Sequence, residues 1–166
     1  MSSPTAGWEN FFVAEVGAAA ALSGLIFVSL SISLRQIVGD RHLRDRAVET
    51  LTTFLAILAI ATCGLIPAQS ALALGAEIAG VASFLWFVAA RRHLRAHRDP
   101  KLESEARRRL GLRVLAAQAS TLPLMVGGGL LAGGYERGLY WVAPGVIASF
   151  AAGAFNAWVL LVEIQH

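Results

Sequence analysis

Apolar residues fall into five long blocks along the chain, each closed by a short polar segment. The blocks cover 11–34, 47–67, 70–90, 114–134 and 141–162. A helix of about 20 residues crosses a hydrocarbon core of about 30 Å. Every block meets that length. The pattern therefore predicts an all-α, polytopic membrane protein, a five-transmembrane-helix bundle forming a single membrane domain over 1–166.

The segments between the blocks refine this reading. Ala68, Gln69 and Ser70 form a linker so short that the second and third helices are expected to make an antiparallel hairpin. The third helix is expected to continue past its block until Pro100 stops it, with a short surface helix after the proline. Pro123 and the glycines at 127–129 mark the fourth helix as the least regular span. Residues 35–46 and 91–113 are read as loops.

Charge then suggests an orientation. The two loops hold thirteen of the 14 Lys and Arg, four in the first and nine in the second, and only Arg137 lies elsewhere. Loops rich in Lys and Arg stay on the cytoplasmic side. An odd number of spans with both basic loops inside implies an outer N-terminus and an inner C-terminus. The first ten residues carry no Lys or Arg and the first block exceeds 20 residues, so a retained helix is expected there and not a cleaved leader.

Composition agrees. The chain is 56% hydrophobic and 15% charged, with mean hydropathy +0.61, whereas soluble domains carry about 25% charged residues. The net charge of +3 and pI of about 9.8 do not imply nucleic acid, because the basic residues are confined to loops between apolar blocks. Ala-, Gly- and Arg-rich usage points to a bacterial plasma (inner) membrane.

Polar residues within the spans are the candidates for function. A carboxylate at bilayer depth costs roughly 2.5–3.5 kcal/mol, so it usually faces a cavity or a partner. Glu15 and Glu77, with Gln69 at the linker, lie toward the outer side and are expected in one layer. At about 1.5 Å per residue, Glu15 is about 6 Å and Glu77 about 10 Å inside the block entrances. Glu49, Gln118 and Asn156 lie toward the inner side. Two polar layers around an apolar middle suit a gated pathway for a proton or small cation. They equally suit a plain bundle whose polar residues sit near the ends.

Two further features bear on partners. Gly145, Ser149, Gly153 and Ala157 recur every four residues along the fifth block, a small-residue stripe expected to be a helix-packing or homo-oligomer seam. Arg91, Arg92, Arg95, Arg107, Arg108 and Arg109 in the second basic loop are candidates for contact with anionic membrane lipid. No HExxH, GxSxG or phosphate-binding loop occurs. The four histidines, His42, His93, His97 and His166, all lie outside the apolar blocks. No metal or cofactor is expected, and no enzymatic activity. Two functions remain open: an oligomeric channel or transporter for cations or protons, and a non-catalytic membrane protein that binds a partner protein or anionic lipid.

Overall fold

The computed structural model describes residues 4–97 and 104–164. They form α1 (Glu9–Ile32), α2 (Leu34–Gly39), α3 (Arg41–Gly64), α4 (Ala71–His97), α5 (Ser104–Ala132), a 3₁₀ turn (Glu136–Gly138) and α6 (Leu139–Ile164). No strand occurs among the described residues. Five helices are long and apolar enough to cross a membrane, over Glu9–Ile32, Leu43–Gly64, Ala71–Arg91, Val114–Ala132 and Glu136–Val162. Large apolar side chains such as Val13, Leu25, Phe27, Leu72, Phe84, Leu122 and Ile147 point outward, an arrangement suited to lipid and costly in water. The chain is a multi-pass membrane protein. It divides into two compact units, Met1–Ala68 with Ser149–His166, and Gln69–Ala148.

In the first unit α1 packs on α3. The buried residues of α1, Phe12, Ala19 and Ile26, recur every seven positions and trace one narrow stripe. Phe12 closes one end of this seam. Its ring lies so near Gly64 that a Cβ there would stand 2.6 Å from it. The inner helix is α3: Thr50, Phe54, Ile57 and Ala61 are buried along one face, and Ala47, Ala56 and Ile60 are buried as well. Phe54 packs against Gly153 of α6, and its ring is 5.9 Å from that of Phe150.

The segment 35–46, expected as a loop, is helical almost throughout. The first helix ends at Ile32, where Ser33 adopts φ −99°, ψ 18°. Just before the break, the Ser29 and Ser31 hydroxyls donate to the carbonyls of Leu25 and Phe27. Such back-bonding weakens and bends helices. Asp40 then separates α2 from α3, and its Oδ1 accepts the Leu43 N–H at 3.4 Å, as an N-cap residue does. Packing decides that this stretch is ordered helix: Ile37 is buried with Ala47 and Leu160, flanked by Leu30 and Leu43.

In the second unit α4 and α5 lie along each other at close range. A Cβ on Gly128 would be 2.7 Å from the Ala79 nitrogen and 2.8 Å from the Gly75 carbonyl oxygen. Small residues permit this approach, which in lipid supplies the van der Waals contact that drives helix association. The 3₁₀ turn packs on α5 through Gly138, which meets Gly127 and Leu131, and α6 begins against the same helix with Val142 at Gly127 and Gly145 at Leu124.

One expectation needs correction: the segment after residue 103 is not a separate surface helix. Instead α5 runs unbroken for 29 residues with Pro123 inside it. A proline removes one helical N–H. In hydrocarbon the freed backbone has no water to turn to, so Ser/Thr side chains and neighbouring helices hold such helices together. Ser120 and Thr121 donate to the carbonyls of Ala116 and Ala117, a turn before the proline and not to the Ala119 carbonyl that it leaves without an N–H. The glycines at 127 and 128 serve as packing surface.

Candidate functional site

The polar residues singled out above separate by unit. In the first unit Glu15 stands beside the α1 stripe, half-buried, about 9 Å from the start of its span at about 1.5 Å per residue. Its Oε2 is buried and has no hydrogen-bond partner among the described residues. The Ser23 hydroxyl, two turns along α1, is in the same condition. Glu49 is half-buried near the start of α3, where its backbone carbonyl accepts the Thr53 hydroxyl at 2.9 Å. Asn156 is half-buried on α6.

In the second unit Glu77 and Gln69 meet. The Gln69 Nε2 donates to Glu77 Oε2 at 2.6 Å across eight residues of sequence. Gln69 Oε1 is buried without a hydrogen-bond partner among the described residues. Ala68, immediately before, has φ +57°, the left-handed region that non-glycine residues rarely adopt. Farther along α4 the Trp86 indole N–H donates to Gln118 Oε1 of α5 at 3.2 Å. This bond ties α4 to α5 on an exposed edge. Interhelical bonds of this kind average about 0.6 kcal/mol in membranes. Gln118→Leu is accordingly expected to lower unfolding stability by about 0.6 kcal/mol, measured by chemical unfolding in detergent or bicelles, with Trp86→Phe giving the same loss and the double variant no more than either.

Glu15 and Glu77, expected in one layer, belong to different units. Along the α6 stripe, Gly145 meets Leu124, Gly153 meets Phe54, Ser149 is buried and Ala157 half-buried. The two glycines are filled by side chains of the same chain. Of the arginines considered for lipid contact, Arg91 is exposed with its guanidinium 4.4 Å from the centre of the Phe87 ring. The side chains of Arg92, Arg95, Arg107, Arg108 and Arg109 lie outside the described residues.

Sequence reasoning overlooked Ser23 and Trp86. A serine in a membrane helix commonly satisfies itself on its own backbone, as Ser29 and Ser31 do, so nothing in the sequence set Ser23 apart. A tryptophan toward the end of a span is ordinary as an interfacial aromatic, and its partner became visible only when α4 and α5 were paired. Among the described residues no three His, Cys, Asp or Glu side chains gather as a metal site would require. No family model, curated protein or solved structure matches the chain.

Proposed function

We propose that this protein conducts or transports protons or small cations across the membrane by way of its intramembrane carboxylates. The observation that carries the reading is Glu15: a carboxylate within an apolar span whose Oε2 is buried and has no donor among the described residues. Buried polar atoms nearly always have a partner, and an orphan needs an explanation. In a membrane span the usual one is a place on an ion or proton path. The reading includes an outer N-terminus and inner C-terminus, from the basic segments, and a bacterial plasma membrane. It also includes several copies per assembly, since five helices by themselves enclose little interior.

The test is flux through purified protein in liposomes under proton, Na+, K+ and Cl− gradients. The wild type is expected to carry protons or a cation, and Glu15→Gln to fall to the level of empty liposomes while remaining folded. A folded wild type silent under every gradient, or Glu15→Gln with unchanged flux, overturns it. A second reading, binding of anionic lipid, draws on the exposed Arg91 braced over Phe87 at the end of the α4 span. It predicts that anionic vesicles retain the protein's basic face in a salt-sensitive manner and that the carboxylates are dispensable.

A further inference from the structure

We propose that Gln69 and Glu77 form a binding site for one monovalent cation, an alkali ion or ammonium, at the start of α4. The inference deepens the transport reading by naming the class of ion, and rests on it only for calling that ion a cargo.

The hydrogen bond from Gln69 Nε2 to Glu77 Oε2, at 2.6 Å, decides which way the amide faces. A carboxylate accepts and does not donate, so the NH₂ end must turn toward it. The amide oxygen is thereby committed to the other side. It is buried there with no donor among the described residues. Oε1 and Nε2 share one carbon, so the orphaned oxygen stays within reach of the same small volume as the Glu77 carboxylate. The pair thus offers three oxygens against one NH₂ group. What it lacks is positive charge, and no ion pair to Glu77 occurs among the described residues.

The backbone contributes to the arrangement. Ala68 holds the left-handed conformation at φ +57°, and the following residue is turned so that its side chain reaches Glu77, two turns into α4. Such a conformation persists only where the surroundings impose it, and it concentrates at functional sites. Meanwhile Ser70 caps the helix, its hydroxyl accepting the Ala73 N–H at 3.2 Å, so capping does not require Gln69.

Charge balance selects the ligand. One carboxylate and one neutral amide carry a single negative charge. A monovalent cation cancels it. A divalent ion would leave a net positive charge inside a membrane span, which is costly there. A carboxylate and a carbonyl are the hard oxygen donors that alkali ions accept, and both also accept N–H from ammonium.

The experiment is thermal unfolding of the purified protein in detergent, at constant pH and ionic strength, in sodium, potassium, ammonium or choline chloride. A ligand that binds only the folded form raises Tm with its concentration. One of the three small cations is expected to raise Tm saturably relative to choline, and Gln69→Leu and Glu77→Gln to abolish the rise. If Glu77→Gln does not fold, Gln69→Leu, which keeps the carboxylate, decides. Equal Tm in all four salts, or a rise that survives in Gln69→Leu, overturns the site. Flux without cation-dependent Tm keeps the transport reading and removes this site. Cation-dependent Tm without flux does the reverse.

Discussion

Replacing Gly128 by leucine is expected to cost about 3 kcal/mol of stability, the upper end of the usual overpacking penalty, or to prevent folding altogether. The reason is what surrounds it. A Cβ at this position would lie 2.7 Å from the Ala79 nitrogen, 2.8 Å from the Gly75 oxygen and 3.0 Å from the Ala79 Cβ. Two of these three atoms are backbone, which cannot swing aside as the tip of a side chain does. The helices would have to part, and in lipid their association rests on close van der Waals contact with little hydrophobic drive to replace it. Gly129 is the control. It is one residue along the same helix, and a Cβ there meets nothing within 4 Å. Gly129→Leu should fall within about 0.5 kcal/mol of the wild type, as exposed substitutions usually do. Unfolding of both variants in bicelles decides the matter: equal costs would mean that α4 and α5 do not meet through Gly128.

Phe54→Ala is expected to cost about 3 kcal/mol, the lower end for truncating a buried phenylalanine. Phe54 has no exposed surface. Its ring occupies the space left by Gly153, 2.9 Å from where a Cβ would stand, and tilts against Phe150. The lower end applies because the removed ring would otherwise be solvated by lipid chains. The loss is then mostly packing contact. Gly153→Ala should also destabilise, since the ring must move for the new methyl. Because the two positions share one volume, the pair should not be additive: a coupling of about 0.5–3 kcal/mol is expected in a double-mutant cycle. Strict additivity would show that the ring does not sit on Gly153.

The glycines mark the boundary of what a sequence conveys. Gly145 and Gly153 stood out by their regular spacing on α6, yet spacing does not say what fills the gap. Leu124 and Phe54 fill it, from other helices of the same chain. Gly127 and Gly128 were read as a source of irregularity. They are instead the surface on which the second unit is built, with Val142 at one and Ala79 at the other. Gly129, their neighbour, is open on its side. Three identical residues have different roles because each successive residue turns about 100° around the helix.

The same contrast holds for the polar residues. Glu15, Glu77 and Gln69 were recognisable as candidates because a carboxylate or amide in an apolar span is costly whatever its surroundings. The sequence placed Gln69 and Glu77 at the same end of one span but did not pair them. Eight residues is just over two helical turns, and only the folded chain shows the amide on the carboxylate, with Ala68 in the left-handed region just before it. For Glu15 the sequence marked the charge, and only the fold revealed that one of its oxygens has no donor.

What the sequence determined by itself is the solvent and the class of fold. Five apolar blocks of membrane-crossing length leave little besides a helical membrane protein, because in hydrocarbon each span must satisfy its own backbone. The basic segment at 35–46 and the segment after residue 103 misled where they were read in terms of water. There a helix can fray into solvent; here α5 runs unbroken from Ser104, and Ile37 is buried with Ala47 and Leu160. Tertiary structure alone decided which faces touch, which glycines are filled, and which polar atoms keep a partner. Those outcomes depend on residues far apart in the chain meeting within a few ångströms, and a one-dimensional pattern carries the period of a helix but not the neighbour that its face will meet.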